Sequence, residues 1–140
     1  MNSQIAPFRR RLLGIIYDTI LAGGTVVFVA MITLFILQVN GMGEVQPDSP
    51  LSHLLFAYYL LVLFIYFAWF WTHGGQTPGM KIWKLRVETM QGRPINILEA
   101  IARFGFALLL PVISQLWSLI DKDKLALHDK LSATRLMWVE

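Results

Sequence analysis

From Leu54 to Trp71 the chain runs through 18 residues with no charge, histidine, glycine or proline. As a helix this run is about 27 Å long, close to the roughly 30 Å of a bilayer's hydrocarbon core. A second apolar run, Leu12 to Val39, is longer and is interrupted by one charge, Asp18. A third, Phe104 to Ile120, is uncharged but carries Pro111 near its middle. The whole chain is 56% hydrophobic with a mean hydropathy of +0.56, and only 15% of it is charged, against about 25% in soluble domains. These properties predict one all-α membrane domain over residues 1–140, with two transmembrane helices, 12–39 and 51–72. A third, proline-broken membrane helix over 97–120 either spans or re-enters. An outside loop (40–50), a cytoplasmic connection (73–96) and a polar tail (121–140) complete the chain.

The charges orient these segments. Arg9, Arg10 and Arg11 precede the first run, and Lys81, Lys84, Arg86 and Arg93 lie in the connection. Lys122, Lys124, Lys130 and Arg135 lie in the tail, whereas the loop 40–50 carries only Glu44 and Asp48. Lys and Arg accumulate on the cytoplasmic side, which predicts a cytoplasmic N-terminus in a plasma or inner membrane. A full third crossing would carry the basic tail outside; a hinge at Pro111 keeps it inside. Acidic Asp121, Asp123, Asp129 and Glu140 offset the tail's positive charge, so both courses stay open. The first run is too long for a signal-peptide core and reads as an uncleaved signal anchor. Tyr58 and Tyr59 towards one end of the second run, and Trp69, Trp71 and His73 at the other, fit interfacial positions.

Local signals divide the polar parts. Thr77 followed by Pro78 marks a helix start after the turn Gly74-Gly75-Gln76. Lys84 to Glu88 alternates polar and apolar, as does Thr134 to Val139, and the two are expected to pair as a small sheet on the cytoplasmic face. Gln91-Gly92 turns the chain between elements. Asn96 and Glu99 have capping-box spacing, and Asp121 to Leu131 reads as a polar helix.

Four blocks taken together are similar to a known family. Arg11-Leu-Leu-Gly-Ile-Ile-Tyr-Asp18, then Gly75-Gln-Thr-Pro-Gly-Met-Lys81 with Leu85-Arg-Val87, then Arg103, and last Leu127-His-Asp-Lys-Leu-Ser-Ala-Thr134 occur in the order of the RDD family pattern. The resemblance puts the family's arginine at Arg11, its first aspartate at Asp18 and its second at Asp129, with Asp121 as the alternative. Position 14 is glycine where alanine is common. The resemblance implies a small multi-pass fold. Activities put forward for the family are transport of unidentified ligands and, for some members, cation/proton antiport.

The candidate polar network is therefore Arg11, Asp18, Arg103 and Asp129, with a turn motif of Gly75, Thr77, Pro78, Gly79 and Lys81. Gly14, Asp18, Ala22 and Thr25 share one helix face suited to close packing, so Asp18 is expected to face protein or a wet cleft. Its two readings are a cation or proton carrier, and a packing residue paired with Arg103 or a lysine. Glu99 and Arg103, four apart, are expected to pair locally, the alternative being a reach from Arg103 to Asp18. Asp129 is expected to accept hydrogen bonds from the Gly75–Gly79 turn. No catalytic residue, metal set or cofactor is expected: there are three histidines and no cysteine, and the glycine turn lacks phosphate-loop spacing. The expected partners are the lipid bilayer, a homo-oligomer or larger membrane complex, and a small cation or proton; nucleic acid is not expected. Two functions stay open, an oligomeric transporter subunit and a non-transporting assembly or accessory module.

Overall fold

The computed structural model describes residues 4–139. Strand β1 (Gln4–Ile5) leads through Pro7 into helix α1 (Phe8–Val39), and α2 (Pro50–Thr72) returns the chain. A short α3 (Pro78–Ile82) and strand β2 (Leu85–Thr89) precede α4 (Ile97–Leu109) and α5 (Pro111–Ile120). Helix α6 (Leu127–Leu131) and strand β3 (Thr134–Trp138) end the fold. The two long apolar helices and the bent third pair are those expected, with α1 beginning four residues earlier than its apolar run.

Their outer faces carry large apolar side chains, such as Phe28, Phe35 and Leu54, that are about two-thirds exposed. Such a surface is suited to lipid. Only a narrow stripe of α1 is buried: Arg11, Gly14, Asp18 and Ala22. Their spacing of three or four residues puts them on one side of the helix. Thr25, expected on the same face, is half-buried and turns its hydroxyl to Leu21 O at 2.9 Å.

The third apolar run breaks at Leu110, one residue before Pro111, where φ is −132° and ψ is 52°. A residue before proline is pushed out of the helical region, so the helix stops there. The segments Ile97–Leu109 and Ile113–Ile120 are bent by 97°. On the other side of the bundle α2 holds α4 through Phe64 and Phe104, whose rings meet edge to face at 5.4 Å.

Below the helices lies a three-stranded antiparallel sheet of order β1-β3-β2. The expected pairing is present, from Leu85 opposite Trp138 to Thr89 opposite Thr134. The extra strand β1 had no readable pattern, since two residues cannot display alternation. Leu85, Val87 and Thr89 point inward and join Leu136, Trp71, Met80 and Ala100 in the core.

Two local expectations need correction. The tail is not helical from Asp121: Lys124 adopts φ 51°, which interrupts a helix, and α6 begins only at Leu127. Glu99 and Arg103 do not pair. The Glu99 side chain accepts from the Asn96 N–H at 2.9 Å, closing the capping box, and from Arg93 at 2.6 Å, while Arg103 turns into the core. Glu140, counted in the tail's charge, lies outside the described residues.

Candidate functional site

Two buried carboxylates organise the junction between helices and sheet, and each is served by a different part of the chain. Asp129, 1% exposed, sits in the first turn of α6. One of its oxygens accepts from Arg11 Nη1 at 3.1 Å, and the other accepts from Arg103 Nη1. The Ala126 N–H adds a bond at 3.3 Å. Arg11 also donates from Nε to Ala6 O at 2.8 Å, and Arg103 from Nη1 to Thr134 Oγ1 at 2.7 Å. The guanidinium of Arg103 lies 5.2 Å from the centre of the Trp71 ring. Asp129 thereby ties α1, α4, α6 and β3 to one point.

Asp18 is held separately. Its carboxylate accepts from the Gly79 N–H at 2.9 Å and from the Thr77 hydroxyl. That hydroxyl in turn accepts from the Met80 N–H at 3.2 Å. A helix start leaves its first N–H groups without partners, and Pro78 at the first position has none to leave. Asp18, reaching from α1, therefore completes the cap of α3. The turn is equally constrained: Gly75 has φ 71°, its carbonyl accepts from Val87 N–H at 2.7 Å, and a Cβ there would lie 2.5 Å from Val87 O. Lys81 is exposed and takes no side-chain part in the network.

These contacts replace three expectations. The Gly75–Gly79 turn donates to Asp18, not to Asp129, and Asp18 pairs with neither Arg103 nor a lysine among the described residues. Arg103 reaches Asp129 instead of Asp18 or Glu99: the two oxygens of Asp18 are taken by Thr77 and Gly79, and Glu99 stays with Arg93 near the surface. Asp121 stands apart from this network in a 2.5 Å pair with Lys130, and that pair lowers the Asp121 pKa and raises that of Lys130.

His128 also belongs to this network, although adjacent residues on a helix point in different directions and its place next to Asp129 in the sequence predicted no contact. It is 6% exposed, and its Nδ1 lies 2.5 Å from Ser114 Oγ, which also accepts the His128 N–H at 2.8 Å. With Nε2 3.5 Å from Asp129, the ring proton is best placed on Nε2, facing the carboxylate. The available signal was Ser114 and Ser118, four apart in an apolar run and both buried in α5. Burial, then Arg103, and then Arg11 hold the His128 pKa down to about 4, against the opposing pull of Asp129. For Asp129, burial favours the neutral acid, but Arg103, His128 and Arg11 together outweigh it and lower its pKa.

The sign of the resulting pH dependence is fixed. Between pH 6.5 and about 4 the unfolded chain binds a proton at His128 that the folded chain does not. Stability is therefore full above 6.5 and falls on acidification through that window, by up to about 3 kcal/mol at 1.36 kcal/mol per pKa unit. Asp129 adds a further loss once pH drops below the ordinary carboxylate value. Unfolding of the detergent-solubilised protein at pH 7.5 and 5.0 measures this, and His128→Gln is expected to reduce the difference between the two.

A cavity of about 300 Å³ adjoins both carboxylates. Its lining combines Arg11, Asp18, Arg103, His128 and Asp129 with apolar Ile15, Leu63, Phe67, Phe104, Ala107 and Leu108. Trp71 and Gln115 also reach it. Among the described residues, Arg103 Nε, Trp71 Nε1 and Gln115 Oε1 are buried without hydrogen-bond partners. The arrangement can hold a small molecule by shape and by hydrogen bonds. Among the described residues no group of histidines and carboxylates is arranged for a metal ion.

Comparison with models of known families matches residues 5–133 to the one described as the RDD family. No curated protein and no solved structure matches the chain.

Proposed function

The chain belongs to the RDD family of membrane proteins, and from that premise we propose that it is a non-enzymatic small-ligand transport subunit whose ligand occupies the cavity beside Asp18 and Asp129. The observation that carries this reading is the cavity itself, about 300 Å³, at the lower end of the usual range for small-ligand pockets. Two long helices cannot enclose a pathway, so a homo-oligomer or a larger membrane complex supplies the remaining wall.

The sheet supports a particular topology. Its three strands lie before α1, after α2 and after α5. A backbone ladder does not form across a bilayer, so each interval between strands contains an even number of crossings. Helices α1 and α2 supply two. Helices α4 and α5, about 20 Å and 15 Å long, each fall short of a core of about 30 Å, so the bent pair enters and leaves on one side. The basic residues around the sheet support a cytoplasmic assignment for that side, in a plasma or inner membrane.

Cation/proton exchange through Asp18 fits the contacts less well. Both of its oxygens are engaged, and an ion would have to displace Thr77 and Gly79. Proton-coupled cation flux in proteoliposomes is accordingly expected to be the same for wild type and Asp18→Asn. Loss of such a flux in a folded Asp18→Asn protein restores the carrier role. The pairing of Asp129 with both Arg11 and Arg103 supports a second reading, an accessory module in which the network only fastens the sheet to the helices.

Access to the cavity separates these two readings. The chain has no cysteine, so a single Ala107→Cys reports on the cavity alone. Small methanethiosulfonate reagents are expected to modify it far faster than Ala100→Cys, at a packed position that is 0% exposed. Equal, slow modification of both favours the accessory module.

A further inference from the structure

Positive charge is left over where α1 meets the sheet. Among the described residues, Glu88 pairs with Arg135, Glu99 with Arg93, Asp121 and Asp123 with Lys130, and Asp129 with Arg11 and Arg103. Asp18 is enclosed by Thr77 and Gly79, while Glu44 and Asp48 lie in the loop at the far end of the long helices. Arg9, Arg10, Lys81, Lys84 and Arg86 therefore form no ion pair among the described residues. The Glu140 side chain, which lies outside them, can offset only one of these five charges.

Arg10 is held in place without being used up. Its guanidinium carbon lies 4.6 Å from the centre of the Trp138 ring, and Nη1 donates to Trp83 O at 3.4 Å. Its Nε and Nη2 have no acceptor among the described residues, and neither is enclosed by the protein, so both keep an open surface. Lys84 directly follows Trp83 and donates its N–H to Lys81 O at 3.2 Å; both lysines are exposed. On the same side of α1 as Arg10 stand Leu13, Tyr17 and Leu21, spaced three or four residues apart. They are 37%, 43% and 42% exposed, and the Tyr17 ring meets that of Trp83 edge to face at 6.3 Å. Gly24 continues this side with open space where a side chain would stand. From Arg10 to Leu21 is about 16 Å along the helix, the depth of one leaflet of a roughly 30 Å core.

We infer that this side of α1 binds an anionic phospholipid, its phosphate beside Arg10 and one acyl chain along Leu13, Tyr17 and Leu21. Arg9 and Lys84 supply further positive charge around the phosphate. An arginine with two open N–H groups is suited to phosphate oxygens, and its stacking on Trp138 fixes the fork before the lipid arrives. Trp83 and Trp138 sit beside this cation, at the level where tryptophan favours lipid headgroups. The apolar strip that begins one turn further along α1 has a counterpart in a lipid chain and none in a free anion. The inference needs α1 in a membrane, but neither a ligand in the cavity nor a particular side for the sheet.

The test measures lipid binding to the full chain in neutral detergent micelles by native mass spectrometry, with dioleoylphosphatidylglycerol and dioleoylphosphatidylcholine as probes. Phosphatidylglycerol is expected to bind more tightly by about tenfold or more, and Arg10→Gln to reduce that preference about fivefold. Lys84→Gln, at an exposed position, is expected to reduce it in the same direction and serves if Arg10→Gln does not fold, which thermal unfolding reports. Lys124→Gln removes the same charge from the exposed tail and is expected to leave the preference unchanged. Inorganic phosphate, compared with chloride at equal ionic strength, is expected not to displace the lipid. Equal binding of the two lipids, or an unchanged preference in folded Arg10→Gln and Lys84→Gln proteins, overturns the inference. So does an equal loss from Lys124→Gln, which would mean attraction by net charge alone, or displacement by inorganic phosphate, which would assign the site to a free anion.

Discussion

Replacing Asp129 with alanine is expected to destabilise the protein by about 3–5 kcal/mol, the largest effect of any single substitution in the network. The reason is the loss of one partner from two pairs at once. Arg11 is 1% exposed and Arg103 3%, and both direct Nη1 at this carboxylate. Removing it leaves two guanidinium groups out of water and facing each other without a counter-charge. Asp129→Asn keeps the shape and is expected to cost nearly as much, because an amide does not neutralise them. Arg11→Met or Arg103→Met alone removes one of the two positive charges and should cost less. The triple replacement with Met, Leu and Met at 11, 129 and 103 tests what the charges are for. Apolar groups of similar volume often substitute for a buried ion network without loss of stability. Recovery of the unfolding midpoint in that variant would show that the fold does not need the charges for its stability. Reversible unfolding in mixed micelles measures the whole series.

Gly79→Ala is expected to cost about 3 kcal/mol or more, through a contact the chain cannot relieve. A Cβ there would lie 2.8 Å from Gly14 O and 2.8 Å from Asp18 Oδ1. One neighbour is backbone, so α3 must move away from α1. That movement stretches the Gly79 and Thr77 bonds to Asp18 and leaves a buried carboxylate short of donors, each worth about 1.5–3 kcal/mol. Gly14→Ala, on the opposite side of the same contact, is the control. Its Cβ meets only the tip of Leu85 at 3.1 Å, which a flexible side chain relieves, so the cost should stay below about 1.5 kcal/mol. This agrees with the alanine that the family resemblance allows at position 14. Comparable losses from both substitutions would contradict the tight α1–α3 contact.

What could be read from the sequence depended on the range over which its cause acts. The two long helices were legible because the bilayer imposes a length and a polarity that no short-range signal overrides. The Asn96 capping box and the Thr77-Pro78 helix start were legible because their partners lie within three or four residues. Pairing of β2 with β3 was visible as two alternating stretches, while β1 was too short to alternate. The identities of the buried residues Arg11, Asp18, Arg103 and Asp129 came from the family pattern; their partners did not. Asp18 meets Gly79 across 61 positions and Arg11 meets Asp129 across 118. Spacing along one helix suggested Glu99 for Arg103. Burial decided otherwise, because Glu99 stays near the surface with Arg93 while Arg103 is enclosed. Adjacency of His128 to Asp129 in the sequence carries little, because neighbours on a helix point in different directions. In this one-turn helix its ring instead folds back towards Asp129 and Ser114.

On the proposed topology the N-terminus, the connection after α2 and the tail meet on one side of the membrane, fastened through Asp129. Single cysteines at Arg9, Arg86, Lys124 and Met42, all exposed, can be labelled in sealed vesicles with a membrane-impermeant maleimide. Cysteines at 9, 86 and 124 are expected to react from the same side and the one at 42 from the other. Reaction of position 124 from the side of position 42 would mean that α4 and α5 cross the bilayer, and the sheet and the Asp129 network could not both exist.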